Sequence, residues 1–350
     1  MIDHSNLRQR YSQLFIACLL CISMYVMIHS MATGIAEFDT SIPGRRSLIA
    51  LFIRLRLKLG DHVFSQALVG EEGWLEYTGG RNLDYFQNIQ TMQAGRVENI
   101  QSNLQILYDS LSERHITLVV VIAPNKATIY PDKLPNEIQK IGSQSELDIL
   151  INIMKQKGPP VLLDLRQALL DARQERDVYY KTDTHWNSYG SFIAYREIVK
   201  TLSQTYPEIV PHQIEDYKRS PIGGDVRDIA GLMGATHLLE PSFFLIPKRS
   251  EPTWVFYNDD DIPTRVSYSS EEKLPRLLMY VDSFGSPLIP MLAPHFNEAT
   301  FIQTNSKYSD LLRIDEIDIA EPDIVILEFV ERRQNGLAIF LANYGLESEK

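Results

Sequence analysis

Short apolar runs alternate with longer amphipathic segments over most of the chain. Residues 117–123 read TLVVVIA, a continuous β-branched run typical of a strand buried on both faces of a parallel sheet. Similar short runs and segments of helical spacing alternate along the chain. The runs lie at residues 161–165, 276–281, 299–303 and 323–329, and the helical segments at residues 88–114, 145–157, 187–203 and 286–296. The pattern predicts a three-layer α/β/α domain with a mainly parallel sheet and ligands at the carboxyl ends of its strands.

The N-terminal part of the chain has a different pattern. After a polar head at residues 1–13, residues 14–32 contain no Lys, Arg, Asp or Glu. About 20 apolar residues suffice for a helix to cross a bilayer, so we predict a transmembrane signal anchor. Small residues at Ser30 and Ala32 also fit signal-peptidase cleavage, which leaves removal of the segment as an alternative. Large downstream domains translocate largely regardless of flanking charge, so we expect the rest of the chain outside the cytoplasm.

The remaining chain divides into a connector at residues 33–69 and a domain at residues 70–350. In the connector, residues 47–59 mix apolar and basic positions, and their spacing fits a strand as well as a helix. A basic amphipathic helix on a membrane surface and a helix packed on the domain are both compatible with it. In the domain, Pro, Gly, Asp and Tyr are frequent at residues 204–274, which predicts a loop-rich insertion with short strands at residues 254–257 and 265–268.

Composition narrows the classes of function. A formal charge of −11 and a pI near 5.3 argue against nucleic acid as a partner, because phosphate binding needs clustered Lys and Arg. Both cysteines, Cys18 and Cys21, lie in the apolar segment, so the domain has no disulfide framework or cysteine nucleophile. The histidines show no ligand spacing, and we expect no catalytic metal. The sequence implies no soluble cofactor.

Candidate chemistry lies in two short runs that together supply a nucleophile, a base and an orienting group. Asp183 precedes His185 by two residues, and the two side chains can meet only in a non-helical turn. Asn187, a predicted N-cap, makes such a turn reasonable. Ser283 follows a strand-like run, where it would lie at the sheet rim near backbone N–H groups that could bind an oxyanion. Alternatively, Asp183 caps a helix and His185 is an ordinary partly buried residue.

The run Tyr180-Lys181-Thr182-Asp183-Thr184-His185-Trp186-Asn187, followed by Gly190, resembles the signature of the alginate O-acetyltransferase family. These are SGNH-hydrolase-like periplasmic proteins that help to acetylate exopolysaccharides. Further blocks agree in order, at residues 70–75, 123–126, 130–131, 223–225, 282–284 and 328–332. The resemblance therefore spans roughly residues 45–335.

The resemblance implies Ser283 as nucleophile, His185 as general base and Asp183 as its orienter, with the serine last in the chain as in this permuted family. It also implies a polysaccharide acceptor and a membrane-embedded partner that delivers the acetyl group. Together with the predicted signal anchor, we expect an inner-membrane protein whose catalytic domain is periplasmic. One position departs from the pattern: Val281 stands where many relatives have glycine. Valine restricts the backbone and could alter how Ser283 is presented.

Four further residues are expected at the substrate: Lys126, Tyr130, Tyr180 and Trp186. Lys126 and Tyr130 follow the strand ending at residue 123, on the rim that would face a ligand. Lys126 could attract an anionic saccharide or only decorate a loop, and Trp186 could stack on a sugar or pack in the core. The sequence therefore predicts an O-acetyltransferase acting on an extracellular polysaccharide. An acetyl esterase with the same triad and a non-catalytic polysaccharide-binding subunit remain alternatives, since groove shape and water exclusion choose the acceptor.

Overall fold

The computed structural model describes residues 44–89, 95–221, 228–248, 252–259, 262–304 and 314–342, with scattered positions between residues 13 and 28. The chain divides into two compact units, residues 1–60 and 61–350. In the first unit, helix α1 (Arg45–Lys58) shows that the ambiguous spacing at residues 47–59 belongs to a helix. The predicted span at residues 14–32 lies largely outside the described positions. Among the described residues, no helix is long and apolar enough to cross a membrane.

Among its described residues, the second unit contains twelve strands and ten α-helices. The strands are β1 (Val63–Phe64), β2 (Ala67–Val69), β3 (Leu75–Tyr77), β4 (Thr117–Ala123), β5 (Leu162–Asp164), β6 (Tyr217–Pro221), β7 (Phe243–Pro247), β8 (Thr253–Asp259), β9 (Ile262–Tyr268), β10 (Leu277–Val281), β11 (Glu298–Gln303) and β12 (Ile324–Val330). The helices are α2 (Asn82–Phe86), α3 (Arg96–Glu113), α4 (Lys126–Ile129), α5 (Glu146–Lys157), α6 (Arg166–Ala172), α7 (Ser188–Leu202), α8 (Ile229–Leu232), α9 (Ile289–Leu292), α10 (Ile314–Ala320) and α11 (Gln334–Ala342).

A seven-stranded sheet in the order β5-β4-β12-β10-β11-β9-β8 forms the centre of this unit. The first five strands of that order run parallel, and β9 and β8 extend the sheet antiparallel. The mainly parallel sheet predicted from the apolar runs is therefore confirmed. Two small antiparallel sheets accompany it, β1-β2-β3 and β6-β7.

Strand β4 shows why the fold has three layers. Val119 and Val121 point to one side, into an apolar core that includes α7. Leu118 and Val120 point to the other side, into a second core built with α3 and α5. Because successive side chains of a strand alternate between faces, a run that is apolar at every position must be covered on both.

Two predicted helices differ from the structure. The helix expected over residues 88–114 begins only at Arg96, and Asn88 has a left-handed backbone with φ 56°. The helix expected over residues 286–296 is divided into α9 and two single 3₁₀ turns. Each of these three elements has a proline as its second residue. Proline is tolerated at a first helical turn but blocks the continuation of a preceding helix.

In the predicted insertion, strands occupy both expected segments, as β8 and β9.

Three adjacent strands position the site. Because β4, β12 and β10 are neighbours and run parallel, their carboxyl ends meet at one edge of the sheet. The residues that follow them, Asn125, Glu331 and Ser283, therefore share that edge. Sheets of this type bind ligands outside the carboxyl ends of their strands.

Candidate active site

A narrow turn carries the Asp-x-His run. Tyr179 pairs with Trp186 in an isolated antiparallel bridge, and the Asn187 N–H donates to the Val178 carbonyl at 3.0 Å. Asn187 then caps α7, because its Oδ1 accepts the N–H groups of the second and third helical residues at 2.9 and 3.0 Å. The bridge closes a loop over residues 180–185, and this loop is the non-helical turn that the spacing of Asp183 and His185 requires.

Asp183 and His185 meet within this turn. The Asp183 Oδ1 accepts from the His185 Nδ1–H at 2.7 Å and from the His185 backbone N–H at 2.8 Å. Two bonds to one oxygen fix both the ring and the backbone of the histidine. With Nδ1 donating to a carboxylate, Nε2 is left as the acceptor, which is the form that a general base needs.

Ser283 completes the arrangement from a distant part of the chain. Its Oγ lies 2.9 Å from the His185 Nε2, although 98 residues separate the two positions. Ser283 is half-buried in the turn that follows β10. The structure thus brings Asp183, His185 and Ser283 together at hydrogen-bonding distances. In this arrangement Asp183 orients the base His185, and His185 can activate the nucleophile Ser283.

Electrostatics favour a charged Asp183. Burial alone would raise the pKa of this carboxyl group, but the hydrogen bonds and charge of His185 outweigh it and hold the pKa below its usual value. Lys126 lowers the pKa further. A carboxylate that stays ionised can stabilise the imidazolium that forms when His185 takes a proton.

A recess of about 190 Å³ opens at the serine and the histidine. Tyr180 and Trp186 line it, together with Phe243 and Phe244 from β7. Tyr180 is half-buried, and its hydroxyl accepts the N–H of Phe243 at 3.3 Å. Trp186 is 1% exposed and meets Phe284 edge to face, so it packs in the core beneath the recess.

Lys126 and Tyr130 differ from the expectation that they face a ligand. Lys126 is 3% exposed, and its Nζ donates to the Asp183 carbonyl at 2.7 Å and to the carbonyls of Leu75 and Lys181. Burial lowers the pKa of its ammonium group, which Glu76 and Asp183 partly oppose. Tyr130 is also buried and stacks on Trp74, so both residues support the turn from inside.

The structure adds three acidic residues that the sequence did not single out. Asp228 lies 3.5 Å from the His185 Nδ1 and accepts the Thr184 N–H at 3.0 Å. Glu240 accepts the Thr182 N–H at 2.7 Å. Glu328, in the middle of the sheet, accepts the Asp282 N–H at 3.0 Å. Asp228 and Glu240 have no local sequence signal, because they accept backbone amides on other segments, whereas Glu328 begins the block at residues 328–332 that resembles the family.

Asp183, His185 and Asp228 also offer ligand atoms that lie within 4.8 Å of one another, as a metal site would require. The Nδ1 of His185 is already bonded to Asp183, however, and its Nε2 to Ser283. A cation bound here would compete with the hydrogen bonds that orient the histidine. The absence of a catalytic metal therefore stays a prediction.

Known proteins resemble this chain in sequence and fold. The family model for the SGNH hydrolase-like domain of the acetyltransferase AlgX matches residues 67–246, slightly more than half of the chain. A probable alginate O-acetylase AlgJ from Pseudomonas fluorescens is 24% identical over 327 residues, covering 85% of this chain and 75% of the relative.

Two solved structures share the fold. A DHHW family protein from Eubacterium siraeum superposes with a TM-score of 0.59 at 17% identity, covering 79% of this chain and 95% of the other. The O-acetyltransferase domain of Pseudomonas putida AlgJ superposes with a TM-score of 0.50 at 17% identity, covering 78% and 92%. The family model and the alginate O-acetylase relative confirm the family resemblance of the sequence and the expectation of an O-acetyltransferase. The chain belongs to the AlgX family of SGNH hydrolase-like acetyltransferase domains.

Proposed function

We propose that this protein transfers acetyl groups to hydroxyls of an extracellular polysaccharide through an acetyl-Ser283 intermediate. The observation that carries the proposal is the continuous set of hydrogen bonds from Asp183 through His185 to Ser283, at 2.7 and 2.9 Å. Such a set activates a serine hydroxyl, which is otherwise a poor nucleophile. The acceptor is proposed from the alginate O-acetylases that this chain resembles.

The first half-reaction loads the serine. The Ser283 Oγ attacks the acetyl carbonyl carbon of the donor while the His185 Nε2 takes the hydroxyl proton. The tetrahedral intermediate collapses, the bond from the acetyl carbon to the donor oxygen breaks, and the imidazolium returns its proton to that oxygen. Asp183 holds the ring and stabilises its positive charge throughout.

The second half-reaction transfers the acetyl group from Ser283 to the acceptor. A sugar hydroxyl enters the recess, gives its proton to His185 and attacks the acetyl carbon. The bond to the Ser283 Oγ then breaks, and the imidazolium reprotonates the serine. Water in place of the sugar would give acetate, so the protein needs a bound acceptor that excludes water.

The serine turn itself offers an oxyanion donor. The Asp282 N–H donates to the Glu328 carboxyl group at 3.0 Å, and the Phe284 N–H donates to the Asp282 Oδ1 at 2.8 Å. The Ser283 N–H has no acceptor among the described residues. It is therefore an amide of this turn that can bind the charge developing on the acetyl oxygen.

Val281 does not disturb this turn. It is the last residue of β10, is buried, and pairs regularly with Gln303 of β11. Its φ is not in the left-handed region that favours glycine. The valine thus occupies ordinary strand backbone, which supports a catalytic protein over a binding subunit with a distorted site.

The proposed compartment follows from the apolar segment at residues 14–32, which would anchor the protein in the inner membrane with residues 70–350 on the periplasmic side. Acetyl donors would have to reach that side from a membrane-embedded partner. A reporter fused after residue 40 tests this topology, because activity of the reporter only in the cytoplasm would contradict it.

Acetyl transfer is tested with the purified full-length chain, 4-nitrophenyl acetate as donor and an oligosaccharide acceptor. We expect 4-nitrophenol release, a serine-bound acetyl group in the intact mass after rapid acid quenching, and acetylated oligosaccharide in the product mass. Ser283→Ala and His185→Ala should abolish all three.

Ser112→Ala, an exposed helical serine, is the matched control and should leave the rates unchanged. Full activity in both site variants would refute the triad. Acetate release without acetylation of any acceptor would identify an esterase.

A further inference from the structure

Helix α1 presents a row of large apolar side chains to solvent. The row recurs at helical spacing, so its members lie on one face. All five are between 54 and 75% exposed: Leu48, Leu51, Phe52, Leu55 and Leu59. Single exposed apolar residues are ordinary on a protein surface, but a contiguous row of this kind marks an interaction site. We call this feature the α1 apolar stripe.

The opposite side of α1 is also apolar, but it is covered. Ile53 is buried, and Ile49 and Leu57, four residues before and after it, are half-buried. Residues spaced by four lie on one face of a helix. Packing within the chain therefore accounts for these three residues and leaves the α1 apolar stripe without an occupant.

Cations border the stripe along both of its edges. The guanidinium carbon of Arg56 lies 5.8 Å from the centre of the Phe52 ring. With 3.6 residues per turn, the helix places one pair of cations along each edge. The pairs are Arg45 with Arg56 and Arg54 with Lys58. Residues 45–60 contain no Asp or Glu, so this segment is basic in a chain whose formal charge is −11.

We propose that the α1 apolar stripe lies in the interfacial region of a bilayer that contains anionic phospholipid. Apolar side chains of such a helix enter the boundary between headgroups and acyl chains, while long cationic side chains at its edges reach the phosphates. A second copy of this chain is a poorer match. Two stripes brought together would also bring their bordering cations together, and like charges repel.

The place of α1 in the chain favours the same occupant. The apolar segment at residues 14–32 ends twelve residues before α1 begins. A connection of this length spans at most about 40 Å when fully extended. If residues 14–32 anchor the chain, as proposed above, α1 stays within that distance of the bilayer, and this step of the inference rests on the proposed anchor.

Docking of α1 would determine where the catalytic unit begins. With α1 free, the extended connection and the length of the helix would let that unit move roughly 60 Å from the bilayer. With α1 on the surface, the second unit, which begins at Asp61, starts at the lipid headgroups. A domain that takes acetyl groups from a membrane-embedded donor would then remain beside the membrane.

The depth of α1 can be measured with the full-length protein reconstituted into vesicles. Phe52→Trp places an indole in the stripe, and phospholipids brominated in their acyl chains quench an indole that reaches them. After subtraction of the signal of the unmodified protein, the added emission should fall by about half in vesicles that contain phosphatidylglycerol. Ser112→Trp, at an exposed position of α3, is the matched control and should not be quenched.

The role of charge is tested in the Phe52→Trp background. Quenching should be weaker in vesicles of phosphatidylcholine alone, and Arg54→Gln combined with Lys58→Gln should abolish the difference between the two lipids. Lys155→Gln combined with Lys157→Gln removes two exposed cations from α5 and should leave the difference unchanged. Turnover of 4-nitrophenyl acetate in detergent should be equal in all these variants, so loss of docking is distinguished from failure of the proposed chemistry.

Equal quenching at positions 52 and 112, or quenching at position 52 that is indifferent both to lipid charge and to the two α1 cations, would overturn the inference. Self-association that disappears in Leu51→Gln and Leu55→Gln, with no quenching at position 52, would identify a second copy as the occupant and overturn it too. Flotation of the unmodified protein with vesicles reports the proposed anchor separately, because residues 14–32 would carry every variant into the bilayer.

Discussion

The buried Glu328 Oε2 accepts the backbone N–H of Asp282 at 3.0 Å, which ties the central strand β12 to the turn that carries the nucleophile. Glu328 is 0% exposed. Its burial and, to a smaller extent, the nearby Asp282 carboxyl group raise its pKa well above the usual value. Both oxygens of Asp282 accept backbone N–H groups, from Phe284 and Val330. We infer from the burial and the raised pKa that Glu328 supports the turn as a neutral acid.

The pH dependence of stability tests this conclusion. A carboxyl group whose pKa is raised on folding contributes stability that is fully present below its unfolded pKa of about 4.3 and is lost as the pH rises through the folded pKa. Glu328→Gln keeps the carbonyl acceptor and removes the titration. The unmodified protein should therefore lose melting temperature relative to the variant as the pH rises above about 4. Parallel curves would show that Glu328 is charged in the fold.

Asp183→Asn should leave the fold intact and lower kcat by about 10⁴-fold, because an amide no longer selects the tautomer of His185 that leaves Nε2 free. The measurement is 4-nitrophenyl acetate turnover with the melting temperature as a check on folding. Asp171→Asn, on the exposed side of α6, is the matched control. A loss of less than tenfold would indicate that the Asp228 carboxylate, 3.5 Å from Nδ1, orients the histidine instead.

Lys126→Met should reduce both stability and activity. The substitution preserves length and removes the donor to the carbonyls of Leu75 and Asp183, so buried acceptors lose their partner at about 1–3 kcal/mol. Urea denaturation measures the loss, and kcat should fall because the backbone of Asp183 is released. Lys200→Met removes an exposed ion pair with Glu197 and should cost under about 1 kcal/mol. Equal losses in the two variants would contradict the supporting role.

Gly190→Ala should impair the site through the first turn of α7, where Gly190 is the third residue. A β-carbon at this position would overlap the carbonyl oxygen of Val178, which also accepts the N–H of Asn187. Shifting that contact costs about 1–3 kcal/mol and displaces the turn with His185, so turnover should fall with stability. In Gly95→Ala the added β-carbon would meet nothing within 4 Å, so the left-handed backbone, with φ 85°, is the single source of strain. It should lose stability and keep the turnover number.

Several parts of this architecture could be predicted from the sequence. A strand apolar at every position, such as β4, has few alternatives to a parallel sheet covered on both faces. The cap of α7 was predictable because Asn187 satisfies the helix amides locally. The meeting of His185 with Ser283 came from the family resemblance, because the two residues lie 98 positions apart and no local pattern joins them.

Other parts left no sequence signal. Lys126 donates to backbone carbonyls, and every residue type has such a carbonyl. The sequence therefore could not show whether the Lys126 side chain is buried or exposed at the rim of the sheet. In the sequence, Glu328 is a polar residue within an apolar strand, and its partner, the amide of Asp282, lies 46 residues away. The breaks between residues 286 and 296 were visible as prolines, but each proline also fits the start of a helical turn.

The position of β12 has a consequence for the timing of activity during synthesis. This strand, near the end of the chain, lies between β4 and β10 and connects the segment bearing Lys126 to the one bearing Ser283. A nascent chain that has emerged only as far as residue 323 contains all three triad residues but lacks the strand that joins the two halves of the sheet. The enzyme is therefore expected to stay inert through most of its translation, so acetyl groups meet a reactive serine only after nearly the whole domain has been made.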